Sequence, residues 1–231
     1  MNTAIRKLYL FIRAIPKTIY FNFKYLPLKK ALKLPILVSH RVWLMNCKGK
    51  ITLNCEHIQT AMIKIGFGEV GIFDQMRERA VWNVKGEIRF NGSGSLGHGC
   101  KISVEESGTL ILGREFNITA ESAIICRKRI TIGDNVMISW ENQIMDTDLH
   151  PIIDSNGSRI NEDEEVEIGH NCWLGSRCII LKGARIPDGG ILGAGTIVTK
   201  SSNKTMKEEN HVLWAGNPIK PIKLNVTWKL K

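Results

Sequence analysis

The chain has 231 residues, 43% of them hydrophobic and 23% charged, with six Cys and no C-x-x-C pair. That composition suits a globular chain of one large or two small domains with free thiols in a reducing cytoplasm, and it excludes a disordered chain, a collagen-like chain, a disulfide-stapled miniprotein and a cysteine-built zinc site. The net charge is +10, but residues 1–50 hold eleven Lys and Arg and no acid, so the remainder sums to −1 and the basicity belongs to one arm.

That arm, residues 1–50, begins MNTAIRKLYLFIRAIPKTIYFNFKYLPLKKALKLPILVSH. Its uncharged runs fall far short of the roughly 18 apolar residues of a membrane span. Arg13 and Lys17 interrupt the apolar stretch and no small-residue cleavage site succeeds it, so a secretory signal is not expected. Pro16, Pro27 and Pro35 are expected to cut the arm into short helical pieces. Leu8, Leu10, Phe11, Ile12, Ile15, Ile19, Tyr20, Phe21 and Phe23, interleaved with Arg6, Lys7, Arg13, Lys17 and Lys24, suit peripheral contact with an anionic membrane, each cation being worth about 1 kcal/mol near an acidic leaflet. The same residues suit packing on the protein itself or on a neighbouring subunit. No recognition motif accompanies the charge, so no nucleic-acid partner is expected. The matching location is cytoplasmic, peripheral on the inner face of the cytoplasmic membrane.

Residues 51–85 carry alternating apolar positions and three closely placed Gly, and read as early, irregular coils of a repeat that becomes regular from about residue 86. Ile168, Leu174, Ile180, Ile186, Leu192 and Val198 are spaced by six without a miss, and Ile132, Ile138 and Ile144, then Leu112, Ile118 and Ile124, keep the same step. A period of six is neither that of a helix nor that of a simple strand. It is the spacing of a hexapeptide β-helix, in which three short strands make one coil and one aliphatic per hexad points inwards. Gly169, Gly175 and Gly193 come directly after three of the aliphatics and are expected to fit the tight corners. The largest excess over the period falls between His150 and Val166, which predicts a loop excursion over 151–165. The β-helix domain is placed at 51–224 and a short C-terminal tail at 225–231.

The stretch IGHNCWLGSRCIILKGARIPDGGILGAGTIVTKS (168–201), followed by WAGNPIKPIK (214–223), closely resembles the hexapeptide-repeat acyltransferases, and among them the O-acetyltransferases of sugars and bacterial surface polysaccharides. The resemblance implies an all-β fold, a left-handed parallel β-helix assembled as a homotrimer, with acetyl-CoA as donor substrate in the cleft between neighbouring prisms. The left hand is opposite to the usual crossover rule. The acceptor implied is a sugar hydroxyl of a capsular polysaccharide or its lipid-linked precursor.

His150, in MDTDLHPIID, occupies the hexad slot after Ile144 and precedes Pro151. An imidazole accepts a proton near neutral pH, and a sugar hydroxyl attacks a thioester readily only when a base removes its proton. The resemblance makes His150 that general base. Asp148 and Asp146 lie close enough in sequence to orient the imidazole or bind the acceptor. Trp173 matches a position close to the catalytic His of a neighbouring chain, where an indole N–H steadies an oxygen or only walls the channel. Trp140 is read as packing or acceptor stacking. Ser176, Ala194, Thr199 and Lys200 match positions that touch CoA. Gly175 and Gly193 flank them, and Asn217 and Pro218 lie in the turn near the adenine. Lys220 and Lys223, with Lys200, suit the phosphates as flexible point charges, where relatives often carry Arg.

His170 is read as a structural corner residue. The run EDEEVE (162–167) is read as a solvated loop face, or one that meets the basic arm. No P-loop, dinucleotide fingerprint or nucleophile elbow appears. Three further readings share the scaffold: N-acetylation of a nucleotide-linked amino sugar, a non-catalytic trimeric β-helix, and a zinc enzyme. The last needs three His around one metal, which the sequence does not supply, so no metal is expected.

Overall fold

The computed structural model describes residues 3–74, 77–206 and 211–229. Ile168, Leu174, Ile180, Ile186, Leu192 and Val198 all point into the interior, each at most 2% exposed. Each lies in a strand of two or three residues, because a corner comes almost at once. Burying such a side chain contributes about 1.5–3 kcal/mol. The equivalent aliphatics of successive coils pair in parallel, Ile168 with Ile186, Leu174 with Leu192 and Ile180 with Val198. Stacking produces three sheets of nine, seven and six strands that enclose one core. Each coil adds one strand to the seven-stranded face.

The corners differ from the sequence expectation. The left-handed residue is the third after each of the first five inward aliphatics: Asn171, Arg177, Gly183, Gly189 and Gly195 all have φ between 54° and 74°. Gly175, directly after Leu174, is needed for a different reason. A Cβ there would sit 2.8 Å from the Ala194 nitrogen and the Leu192 oxygen of the next coil. Glycine at that place permits close stacking, not the turn.

The arm is one helix for half its length. α1 (Thr3–Tyr25) runs straight through Pro16, and α2 (Leu28–Ala31) comes next. A proline at position 16 predicts a break there, but tertiary contacts outweigh the hydrogen bond it cannot donate. Ala14, Thr18, Phe21 and Asn22 are buried against the first coil. That coil comprises β1 (Ile36–Val38), β2 (Trp43–Cys47) and β3 (Lys50–Leu53). The prism therefore starts at Ile36, inside the segment read as the arm, because the uneven early coils hide their period. β1 is an edge strand, and α1 satisfies its open side. The Asn22 amide donates to the Ile36 carbonyl at 2.7 Å and accepts from the Ile36 N–H at 3.1 Å. The Thr18 hydroxyl accepts from the Val38 N–H at 3.0 Å. The Lys17 ammonium donates to the carbonyls of His40 and Val42 at 2.7 and 2.6 Å. Phe21 meets Trp82 edge-on at 5.1 Å, and the Trp82 indole donates to the Tyr25 hydroxyl at 3.0 Å.

The opposite face of α1 is apolar and exposed: Ile5, Leu8, Ile12, Ile15 and Tyr20 are 42–60% exposed. Among the described residues no helix is long and apolar enough to cross a membrane.

The chain leaves the prism after the strand Gln143–Met145 and rejoins it at Val166–Ile168. At the far end, Leu213–Ala215 pairs in parallel with Ile191 and Leu192, and Lys220–Lys223 folds back antiparallel to close the sheet.

Candidate functional site

The excursion 146–165 is built on a buried carboxylate. Asp146 has no exposed surface, and its oxygens accept from the backbone N–H groups of Arg127 at 2.7 Å and Lys128 at 2.8 Å. It fastens the corner from which the loop departs. The expectation that Asp146 meets the acceptor is therefore corrected: its lone pairs are used inside the protein.

His150 lies four residues further on, exposed at the loop's start. Its main chain is fixed while its ring is free. The His150 N–H donates to the Asp148 carbonyl at 2.7 Å, and its own carbonyl accepts from the Asn161 amide at 2.9 Å. Among the described residues no hydrogen bond reaches the imidazole. Asp148 does not orient it. The Asp148 carboxylate accepts from the Lys182 ammonium at 2.5 Å and from Asn161 at 2.8 Å, and these donors hold its carboxyl below the usual carboxylate range. Asp148 braces the loop against the coil that carries Lys182.

Asn161 is the residue that sequence reasoning missed. It is buried, its oxygen accepts from the Ile152 N–H at 2.6 Å, and its nitrogen holds both Asp148 and His150. No spacing or motif marks it. The acidic run also has a definite use. Asp163 pairs with Arg159 at 3.1 Å and Arg127 at 3.5 Å, and Glu164 pairs with Lys200 at 2.6 Å. These carboxylates bind the loop to adjacent coils, not to the arm.

Trp173 stands on the nine-stranded face, 39% exposed, and donates its indole N–H to the Ser139 hydroxyl at 3.1 Å. His150 comes after a strand of the seven-stranded face, so the two lie on different faces of one prism. Trp140 is half-buried at the intervening corner, where its carbonyl accepts from the Arg177 N–H at 3.0 Å.

The residues matched to the coenzyme fall into two groups. Gly175 and Ser176 lie at one corner, and Gly193 and Ala194 lie at the same corner one coil on. The Gly195 N–H donates to the Ser176 carbonyl at 2.9 Å and ties the two levels together. Thr199, Asn217 and Pro218 line a cleft of roughly 110 Å³ with Ser201, Ser202 and Ile219. Thr199 caps the short 3-10 helix Lys200–Lys204 at its N-terminus. Lys220 and Lys223 are exposed beside this cleft on the closing strand. Lys200 is turned away to Glu164.

Cys172 and Cys178 are buried in the repeat, and burial raises both thiols, Cys172 to about 12. Neither is a thiolate nucleophile at neutral pH. His170 accepts from the Asp134 N–H at 3.0 Å at a corner. Among the described residues no three His, Cys, Asp or Glu side chains are grouped to hold a metal.

A family model described as the hexapeptide repeat of succinyl-transferase matches residues 165–200. Galactoside O-acetyltransferase of Escherichia coli (strain K12) is 36% identical over 92 residues, 38% of this chain and 44% of that protein. Polysialic acid O-acetyltransferase of Neisseria meningitidis is 36% identical over 90 residues, 38% of this chain and 39% of that protein. The chain thus spans less than half the length of either relative. An uncharacterized 24.8 kDa protein in the cps region of Klebsiella pneumoniae is 27% identical over 207 residues, 90% of this chain and 87% of that one. The crystal structure of the polySia specific acetyltransferase NeuO superposes with a TM-score of 0.57 at 24% identity, covering 85% of this chain and 84% of that one. The fold is accordingly the left-handed parallel β-helix. The chain resembles the hexapeptide-repeat acyltransferases, and the Escherichia coli and Neisseria meningitidis relatives and NeuO are acetyltransferases.

Proposed function

We propose that the chain is an acetyl-CoA-dependent O-acetyltransferase whose acceptor is a sugar hydroxyl of a surface polysaccharide or its lipid-linked precursor. The observation that carries this reading is His150. It is an exposed imidazole on a backbone pinned by Asn161, placed where the resemblance puts a general base. The matched coenzyme positions lie on the succeeding coils.

The transfer is direct. The His150 ring takes the hydroxyl proton as the sugar oxygen attacks the thioester carbonyl. A tetrahedral intermediate forms, the C–S bond breaks, and CoA leaves as the thiolate, which takes back the proton held by His150 and restores the neutral imidazole. The Gly175 amide donates to the Leu192 carbonyl at 2.8 Å and is engaged within the prism, so it is not a free oxyanion donor. The Trp173 indole N–H serves only by exchanging Ser139 for substrate. The pantetheine runs along the corner of Gly175, Ser176, Gly193 and Ala194, whose side chains are absent or small, and the nucleotide end enters the Thr199–Asn217–Pro218 cleft. Lys220 and Lys223 face its phosphates, and Lys200 joins them on leaving Glu164.

A homotrimer fits the distribution of exposed apolar side chains. Trp173 on one face and Ile152, Ile153 and Ile160 on the excursion are exposed. A second chain supplies cover for them and brings its His150 towards Trp173. The exposed face of α1 and the acid-free basic arm support contact with the anionic inner face of the cytoplasmic membrane.

The test is acetyl-CoA turnover, read as thiol release with galactosides, oligosialic acids and other glycans as acceptors, for wild type and His150→Ala. Acceptor-dependent release should fall at least about 10²-fold in the variant, the low end for a lost general base. Equal release by both proteins removes His150 from the reaction. A sedimentation mass of one chain overturns the trimer.

A further inference from the structure

The early turns of α1 border a cavity of roughly 650 Å³ on the outer face of the nine-stranded sheet, remote in sequence from His150. Leu10 and Phe11 line it about two turns before Thr18, where α1 is bonded to β1. Leu37, Lys64, Ser95 and Asn117 pair successively across the sheet and form the floor. Phe67, Glu69 and Val70 supply a further wall. The volume lies within the range of small-molecule pockets.

The lining chemistry narrows the ligand. Leu10, Phe11, Leu37, Phe67 and Val70 make the walls largely apolar. The neutral polar groups offer a ligand little. The Ser95 hydroxyl donates to the Asn117 side-chain oxygen at 2.9 Å, and the His98 nitrogens and the Thr119 hydroxyl are closed off. The charges offer more. Arg41 and Lys64 stand against a single acid, Glu69, and among the described residues neither cation makes an ion pair. Arg41 is half-buried, with its Nε buried and unpaired. Burial, with the charges of Arg13, Arg41 and Lys17 nearby, holds the adjacent His40 below the usual imidazole range. A partly buried cation without a counter-ion is costly, and an anion beside it removes that cost. Apolar walls with an excess of unpaired positive charge fit an anionic amphiphile better than a neutral sugar or a bare hydrocarbon.

We propose that this cavity binds an anionic lipid, with one apolar chain between Leu10, Phe11 and Leu37 and the phosphate of the headgroup at Arg41 and Lys64. The proposal deepens the membrane contact of α1 and rests on it for the source of the lipid. Ile5, Leu8 and Ile12 lie on the leaflet, and Phe11, 50% exposed on the same helix, stands beside them in the cavity wall. One chain thus passes from the leaflet into the protein, and a loose electrostatic contact becomes a specific one.

The experiment is calorimetric binding of the full chain to oleoyl lysophosphatidic acid, kept below the concentration at which it forms micelles. Inorganic phosphate supplies the anion alone, and oleoyl lysophosphatidylcholine supplies the same chain with no net charge. The phosphate-headed lipid should bind at least about tenfold tighter than either. Lys64→Glu and Phe11→Asp, both at exposed positions, should each weaken it at least about tenfold with the unfolding midpoint unchanged. Ile12→Asp, outside the cavity, should leave lysolipid binding as it is while weakening cosedimentation with phosphatidylserine vesicles. Equal binding of the two lipids, binding of phosphate as tight as that of the lipid, binding that survives both Lys64→Glu and Phe11→Asp, or no binding by the wild type overturns the site. Equal loss with Ile12→Asp overturns it too, by placing the lipid on the exposed face of α1. Lysolipid binding without vesicle cosedimentation upholds the site and sinks the membrane contact alone.

Discussion

The two ends of the prism solve the same problem differently. In the coils from Trp173 to Val198 the strands are two residues long, the inward aliphatics come every sixth residue, and Leu174 stacks on Leu192 with no register shift. At the N-terminal end the strands are three to five residues long, and register shifts occur between Leu44 and Asn46 and between Ile65 and Phe67. The regular end is closed by its own chain folding back at Lys220–Lys223. The irregular end is closed by α1, whose Asn22 and Thr18 take the place of a neighbouring strand. A sheet edge left open invites pairing with other chains, and both devices prevent it. Repetition stabilises one end, and a cap of large aromatics stabilises the other.

That contrast can be broken most forcefully at Phe21. Its side chain is fully buried between α1 and Trp82, and Phe21→Ala should cost about 3–5 kcal/mol. Ile180→Ala in the regular coils should cost about 2–5 kcal/mol, so urea unfolding will register both. Hydrogen exchange will separate them. A solenoid is stabilised by contacts between neighbouring coils, so Phe21→Ala should expose the amides of Ile36–Val38 and Ile63–Phe67 first and spare those around Leu192. Uniform loss of protection would show that the cap and the repeat form one cooperative unit.

The next largest effect tests the second face of α1. Ile12 is 56% exposed, and its burial in a lipid interface would contribute about 1.5–3 kcal/mol. Ile12→Asp should weaken cosedimentation with vesicles containing phosphatidylserine by at least tenfold and leave the unfolding midpoint unchanged. Equal binding of both proteins, or no binding by the wild type, would leave α1 as a cap only.

The smallest effect lies in the excursion. Lys182 and Asn161 depress the Asp148 carboxyl, so the folded state binds its proton less readily than the unfolded chain does. The resulting stabilisation is present above the unfolded carboxylate pKa of about 4 and is lost as pH falls through the lower folded value. Asp148 is partly exposed, so the contribution should be below about 1 kcal/mol. Lys182→Met should remove most of it at pH 7, with little difference from wild type left near pH 2. A difference that persists at pH 2 would assign the effect to packing of the Lys182 stem instead.

The regular coils are legible in the sequence because one packing requirement recurs at every sixth residue. Ile132, Ile138 and Ile144 keep the step that Ile168 resumes beyond the excursion. The early coils are not, because Ile36 pairs with Ile63 and Ile63 with Gly94 across unequal lengths of chain. Pro16 misleads because local propensity says nothing about a helix held from outside by Ile36 and Val38. His150 stands out through a gap in a pattern and a succeeding proline. Asn161 has no such signal, since its partners are fixed only by the folded loop. Asp146 illustrates the reverse case, a carboxylate beside a candidate base whose oxygens serve two backbone amides.

The excursion has a consequence for how such a chain diversifies. Ile130 still pairs with Val166, and Ile144 with Ile180, as if the intervening loop were not there. The loop is inserted at a corner whose open backbone is already sealed by Asp146. The register of the stack is thus independent of the length of the stretch between Asp154 and Ser158, which turns back on itself through Asp154, so that tip can vary while His150 and the scaffold are inherited intact.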